Sequence, residues 1–107
     1  MNVTRRAVND WQVLKLDGRF VVKTLMDVRK EIDAIEAEGN LHKVAFDMTD
    51  TNYLDSSALT VMINLINRLK PNDGTFVICN PNKDVAEVLS IVGFDHMAKI
   101  LPSVDSL

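Results

Sequence analysis

Asp55 is followed directly by Ser56 and Ser57, so two hydroxyl groups lie beside a carboxylate where a helical pattern of apolar residues begins. A serine in the first turn of a helix lies near unsatisfied backbone N–H groups and the positive end of the helix dipole. These groups favour a negative charge, so the serine can be a phosphorylation site. Ser56 is also a good candidate for the helix N-cap. Ser56 is therefore predicted to be either a phosphorylation site or the helix N-cap, and these residues alone do not decide between the two roles.

The helix that these residues begin, predicted over about 56–70, has two contrasting faces. At about 100° per residue, the face predicted to enter the core carries Leu59, Met62, Ile66 and Leu69. The opposite face is polar and nearly free of charge, with Ser56, Ser57, Thr60, Asn64, Asn67 and Arg68. Val61 and Ile63 flank this polar face with apolar side chains.

Interface centres are depleted in charged residues, so a polar face of this kind is typical of a protein-binding surface. The partner-binding residues that we predict are Asp55, Ser56, Ser57, Thr60, Val61, Ile63 and Asn64. The alternative is that Val61 and Ile63 pack beneath neighbouring loops and contribute nothing to binding.

Catalytic chemistry would need groups that the sequence does not supply. Asp47 could be the phosphoacceptor of a receiver domain, but residues 3–17 contain no adjacent acidic pair for Mg²⁺. We therefore interpret Asp47 as an acceptor that organises its loop. Ser56 could be a hydrolase nucleophile only with a base nearby, and His42 and His96 are both predicted to lie on the surface.

Metal and cofactor sites are not indicated either. No His, Cys or carboxylate group has the spacing of metal ligands, and four glycines form no phosphate-binding loop. We therefore expect a protein that is not an enzyme and that has no metal or cofactor.

The composition limits partners and location. Twelve Lys and Arg against fifteen Asp and Glu give a net charge of −3, so nucleic acid is a poor candidate partner. The single cysteine, Cys79, lies in an apolar run and is typical of a buried residue in a reducing compartment. No apolar stretch is long enough for a membrane span, and no signal peptide is visible. We therefore expect a cytoplasmic protein with no membrane partner.

The elements that position Asp55 to Ser57 follow from hydrophobic periodicity and turn residues. The pattern predicts a hairpin of strands 3–7 and 12–16, a helix capped by Thr24 and ended by Gly39, and a strand over 43–48. Residues 49–54 are predicted to be a connection. A turn over 71–74 leads to a strand at Thr75–Cys79.

The last third of the chain predicts a third helix and a short strand. Asn80 is predicted to cap this helix, with Pro81 at its first position. Its predicted core stripe is Val85, Val88, Leu89 and Val92. Gly93 should end the helix, with Phe94 folded back onto it, before a weak strand over 98–101.

This order of elements predicts one α/β domain over 1–107, with a mixed, mainly parallel sheet of about five strands and helices. Binding sites in such sheets lie beyond the carboxyl ends of the strands. Asp47, the loop after it and Asp55 to Ser57 are predicted to lie at that edge.

The strings VAFD at 44–47 and YLDSSAL at 53–59 resemble the signature of STAS domains of the anti-sigma-factor antagonist type, in which a strand leads through a loop to Asp-Ser-Ser-Gly-Leu. Pro81 and the Gly93-Phe94 pair extend the similarity over nearly the whole chain. The resemblance therefore implies a STAS-like fold and a partner-switching regulator.

In the family that the sequence resembles, the first serine after the aspartate is phosphorylated, which corresponds to Ser56, with Ser57 as the alternative. The resemblance implies a serine kinase of the GHKL ATPase type as partner and a PP2C-type phosphatase that removes the phosphate. The unphosphorylated form would bind the kinase or anti-sigma partner, and the phosphorylated form would not.

Two departures from the family pattern affect these expectations. Ala58 replaces the usual glycine, a mild change because alanine favours helix. The Asp17-Gly18-Arg19-Phe20-Val21 segment lacks the acidic residues often found after the family's second strand, and this difference could alter which kinase is recognised. The output could therefore be a sigma factor or another process, such as secretion or biofilm formation. A STAS module that binds a ligand or joins a larger signalling assembly without phosphorylation is the alternative function.

Overall fold

The N-terminal hairpin forms as predicted, from β1 (Asn2–Val8) and β2 (Trp11–Phe20), in a computed structural model that describes residues 1–107. The two strands pair antiparallel from Asn2 opposite Asp17 to Val8 opposite Trp11. The turn between them contains Asn9 at φ 53°, a left-handed conformation that Asn tolerates better than most residues. β2 extends beyond the predicted end at residue 16.

The remaining strands are β3 (Lys43–Asp47), β4 (Thr51–Leu54), β5 (Thr75–Cys79) and β6 (Lys99–Leu101). The sheet order is β1-β2-β3-β5-β6, and every pairing except the hairpin is parallel. The sheet is therefore mixed and mainly parallel, as predicted.

β4 was not predicted from the sequence, in which residues 49–54 were expected to be a connection. It pairs parallel with the far end of β2, where the register shifts between Gly18 and Arg19. β2 thus pairs with β3 along its first half and with β4 along its second. A strand of four residues that pairs with the extension of another strand gives too little periodicity to detect.

Three α-helices connect the strands: α1 (Leu25–Ala37), α2 (Ser56–Leu69) and α3 (Lys83–Ile91). The Thr24 side chain does not cap α1, contrary to the prediction. Its hydroxyl accepts from the Val21 N–H at 3.0 Å and donates to the Arg19 carbonyl at 2.6 Å. The hydroxyl therefore stabilises the β2–α1 loop instead.

The start of α3 also differs from the prediction. Asn82, and not Asn80, is the N-cap, and its Oδ1 accepts from the Val85 N–H at 2.8 Å. Asn80 adopts φ 50° just after β5, and its Nδ2 donates to Thr49 Oγ1. Pro81 accordingly precedes the helix instead of opening it.

The core has two parts. All three helices contribute to the larger cluster, which contains Phe20, Phe46 and Phe94. A smaller cluster on the other sheet face contains Val13, Ala45, Val77 and Cys79. Gly93 at φ 75° follows the C-cap residue of α3, and Phe94 is buried behind it as predicted.

Only two of the four predicted core residues of α3 are buried. Val85 and Leu89 enter the larger cluster, but Val88 is 37% exposed and Val92 is 53% exposed. The expectation for Val88 and Val92 was wrong because the apolar stripe of α3 is wider than the surface that the sheet covers.

Candidate functional site

Asp55 is the N-cap of α2, which corrects the prediction that Ser56 is. Its Oδ1 accepts from the N–H groups of Ser57 at 2.8 Å and Ala58 at 3.2 Å, while Oδ2 accepts from the Val22 N–H at 3.1 Å. The Asp55 N–H donates to the Phe20 carbonyl at 3.2 Å. This backbone hydrogen bond fixes Asp55 at the end of the sheet. The helix therefore begins directly after Asp55, and the aspartate occupies the N-cap position in place of either serine.

Ser56 is the first residue of α2, and its side chain is exposed. Its carbonyl accepts from Thr60 Oγ1 at 3.1 Å, but its hydroxyl makes no hydrogen bond within the chain. Ser57 is half-buried, and its hydroxyl is likewise without a partner. Neither serine hydroxyl is therefore needed by the hydrogen bonding of the helix start.

The polar face of α2 is present, but its apolar border differs from the prediction. Thr60 and Asn64 are exposed, whereas Val61 is only 7% exposed and packs in the larger core cluster. Ile63 is half-buried against the same cluster. Val61 was predicted to flank the polar face, but it is buried because α1 packs beside α2 on that side. Its part in partner binding stays a prediction.

The face that was predicted to be core is only partly so. Met62 and Leu69 are buried, whereas Leu59 and Ile66 are half-buried against the core. Leu65 is also buried. The buried stripe of α2 is therefore rotated toward α1 relative to the prediction.

Two shallow depressions lie beside the start of α2. One, of about 190 Å³, is lined by Leu25, Arg29, Ser57, Thr60, Val61 and Asn64. The other, of about 530 Å³, is lined by Arg19, Val21, Val22, Lys23, Tyr53 and Asp55. Asp55 and Ser57 therefore lie between the two depressions.

The second depression contains residues that the sequence analysis did not assign to the site. The Arg19 guanidinium lies 4.9 Å from the centre of the Tyr53 ring, and the two residues pair across β2 and β4. Val22 is exposed although apolar. Because β4 was not predicted, nothing in the sequence pattern brought Arg19 and Tyr53 together.

Arg68 connects the far end of α2 to α1. It contacts Asp33 at 3.0 Å and Glu36 at 2.8 Å. The hydrogen bond to Glu36 raises the pKa of Arg68, although burial opposes the shift. The predicted polar face thus ends in two ion pairs that fix α2 beside α1.

The sequence also offered Asp47, His42 and His96 as candidate residues. Asp47 is buried, and its Oδ1 accepts from the Thr49 N–H at 3.1 Å and the Thr49 hydroxyl at 2.6 Å, which confirms its role in organising the loop. His42 and His96 are exposed, as predicted. No group of three or more His, Cys, Asp or Glu side chains is close enough to hold a metal ion.

Cys79 is buried in the smaller core cluster, as predicted. Burial, assisted by the charge of Asp47, raises the pKa of the thiol to about 11. The thiolate form needed for nucleophilic chemistry is therefore scarce at neutral pH. Separately, none of the helices combines the length and apolar character that crossing a bilayer requires.

Comparison with known proteins gives a consistent result. A model of the STAS domain matches residues 2–107. A candidate anti-sigma factor antagonist of Thermotoga maritima is 29% identical over 63 residues, which cover 59% of this chain and 56% of that protein. The match thus spans little more than half the length of that curated relative.

Two solved structures have the same fold. The crystal structure of a Thermotoga maritima candidate anti-sigma factor antagonist has a TM-score of 0.89 at 23% identity, over 97% of this chain and 89% of that one. SpoIIAA of Bacillus is known in unphosphorylated and phosphorylated forms. The unphosphorylated form has a TM-score of 0.77 at 15% identity, over 98% of this chain and 92% of that one.

Proposed function

Because the chain belongs to the STAS domain family, we propose that it is a partner-switching regulator of the anti-sigma factor antagonist type. Names of this type are carried by the Thermotoga relative and by SpoIIAA. SpoIIAA has a phosphorylated form, and we transfer this property to Ser56 of this chain.

The observation that carries the proposal is the free hydroxyl of Ser56. Ser56 is exposed in the first turn of α2, and Asp55 already supplies the cap. Phosphorylation of Ser56 would therefore break no hydrogen bond of the fold. A phosphate would carry about −1.5 to −2 charges, which the N–H groups and dipole of a helix N-terminus tolerate.

The same phosphate is unfavourable in a protein interface. It must lose water on binding, it is larger than a hydroxyl, and it lies beside the carboxylate of Asp55. Burying such a charge without a new cationic partner costs several kcal/mol, which changes affinity by orders of magnitude. We therefore expect phosphorylation at Ser56 to block partner binding while the domain stays folded.

The proposed partners are a GHKL-type serine kinase or anti-sigma factor and a PP2C-type phosphatase, with all of them in the cytoplasm. The unphosphorylated chain would bind the kinase through Asp55, Ser56, Ser57, Thr60 and Asn64, with Ile63 at the border. The chain would act as substrate and ligand, without turnover of its own. A sigma factor, or a regulator of secretion or biofilm formation, would be released as the output.

The first experiment locates the phosphate. The purified chain is incubated with MgATP and each GHKL-type serine kinase of its source organism, and phosphopeptides are identified by mass spectrometry. We expect one phosphate on Ser56, its loss in Ser56→Ala and its retention in Ser57→Ala. Modification of Ser57 alone would move the switch by one residue. Tight binding to a kinase without phosphate transfer would favour the alternative interaction module.

The second experiment tests the effect on binding. Ser56→Ala and Ser56→Asp are titrated against the kinase by calorimetry, with Ser90→Asp, an exposed serine on α3, as the charge control. We expect Ser56→Asp to bind at least about tenfold more weakly than Ser56→Ala, and Ser90→Asp to bind like the wild type. Equal affinities for the two Ser56 variants would contradict the proposed switch.

A further inference from the structure

Three cationic side chains without ion-pair partners surround the start of α2. Arg19 and Lys23 line the depression on one side of Asp55, and Arg29 lines the depression on the other side, beside Ser57. All three are exposed, and none lies within 4.0 Å of a carboxylate. We call Arg19, Lys23 and Arg29 the cationic corner.

The sign of this corner is opposite to that of the whole chain, whose net charge is −3. Asp55 is the only carboxylate that lines either depression, and three backbone N–H groups already occupy its oxygens. Asp27 lies on α1 between Lys23 and Arg29, where its carboxylate is 3.8 Å from the N-terminal amine, and Asp84 lines a separate depression with Tyr53. The charged side chains that line the two depressions beside the exposed serine are therefore mainly cationic.

The corner is also held in place. Arg19 stacks on Tyr53, and the loop that carries Lys23 is fixed at both ends, by the Thr24 hydroxyl on the Arg19 carbonyl and by Asp55 on the Val22 N–H. Arg29 is on the second turn of α1. Because the backbone that carries Arg19 and Lys23 is already ordered, binding of a partner restricts mainly their side chains.

We propose that the cationic corner is the specificity-determining part of the partner surface and that it receives an acidic face of the partner protein. The inference rests on the proposed function, since it defines the chemistry of the same partner. Complementary charge around the edge of an interface governs partner choice and association rate more than total affinity. Where the family that the sequence resembles often has acidic residues, this chain has Arg19 near the end of β2 and Lys23 after it, which would select a partner of opposite charge.

This charge arrangement also gives the switch a second mechanism. A phosphate on Ser56 reduces the positive charge of the cationic corner and also repels an acidic partner directly. The effect of Ser56→Asp should therefore shrink as salt is raised, because screening at about 1 M ionic strength shortens the Debye length to about 3 Å. A switch that acted only by steric exclusion would not respond to salt.

The first test uses a simple acidic probe and does not depend on any kinase. The ¹⁵N-labelled full chain is titrated with hexaglutamate at low ionic strength, and amide shifts are followed by NMR. We expect saturable shifts at residues 19–29 and 55–57, absent in Arg19→Glu/Lys23→Glu. Shifts centred on Lys70 and Lys99 instead, or none, would overturn the proposal. Tighter binding of a ten-residue oligothymidylate at the corner would also overturn it in favour of nucleic acid.

The second test uses the kinase that binds the wild-type chain. Arg19→Glu/Lys23→Glu is compared with Arg6→Glu, an exposed and unpaired arginine on β1. We expect binding at least about tenfold weaker for the double variant, with the loss largely abolished by salt, and little change for Arg6→Glu. Circular dichroism melts confirm that each variant is folded. Equal losses of affinity for the double variant and Arg6→Glu, or no loss for either, would overturn the inference and leave the proposed switch intact. Failure of every kinase to bind the wild-type chain would instead contradict the proposed function alone.

Discussion

The start of α2 depends on which of three neighbouring residues caps the helix. Asp55, Ser56 and Ser57 are all residue types that cap helices well. The sequence alone therefore predicted a cap in this region without selecting the correct residue. The choice is made by a tertiary contact, the bond from the Asp55 N–H to the Phe20 carbonyl, which sequence periodicity cannot reveal.

The cap leads to a prediction about stability. Asp55→Ala removes the acceptor of the Ser57, Ala58 and Val22 N–H groups and should lower the free energy of unfolding by about 1–2 kcal/mol. Ser56→Ala should change it by less than about 0.5 kcal/mol. Urea denaturation measures both variants. Asp55→Asn, which keeps a capping oxygen, should fall between them, and a larger loss for Ser56→Ala would contradict the assignment of the cap.

Cys79 leads to a prediction about alkaline pH. Burial raises the pKa of its thiol from 9.0 to about 11, so the folded state holds this proton more tightly than the unfolded state. The resulting stabilisation is complete below pH 9 and is lost as pH rises toward 11. A pKa difference of two units between the folded and unfolded states corresponds to about 2–3 kcal/mol in the free energy of unfolding. Urea unfolding at several pH values between 8 and 11 should therefore show a steeper loss for the wild type than for Cys79→Ala. Parallel pH profiles for the two proteins would be inconsistent with a buried thiol.

The α2 helix illustrates what helical periodicity can predict. It identified the polar face and the buried positions of Met62 and Leu69. It misplaced Val61 because periodicity gives the angle of each side chain but not which side a neighbouring helix covers. The rotation of the buried stripe follows from α1, which Arg68 joins through Asp33 and Glu36.

This rotation separates the effects of two neighbouring substitutions. Val61→Ala should lower the free energy of unfolding by about 2 kcal/mol, because it removes buried methyl groups. Asn64→Ala, on the exposed face one turn later, should change stability by less than about 0.5 kcal/mol and should weaken kinase binding. Thermal melts and binding titrations of both variants provide the check. Weaker binding by folded Val61→Ala without loss of stability would restore Val61 to the binding surface.

The fold class of the whole chain could be predicted from the sequence because alternating strands and helices admit few topologies. The N-terminal hairpin, the strands at Lys43–Asp47 and Thr75–Cys79, and the end of α3 at Gly93 were all recognised from local chemistry. What escaped prediction depends on contacts between distant segments. β4 exists because β2 is long enough to pair twice.

Because β2 pairs with both β3 and β4, the two strands differ in how easily they unfold locally. β3 has a neighbour on both sides, whereas β4 has β2 alone and spans four residues. Amide hydrogen exchange should therefore be slow for Ala45 and Val77 and much faster for Tyr53 and Leu54. Because Asp55 follows β4 directly, transient release of this short strand would loosen Ser56 without unfolding the rest. A kinase that needs the serine in an extended segment would then find it through a local fluctuation that costs less than global unfolding.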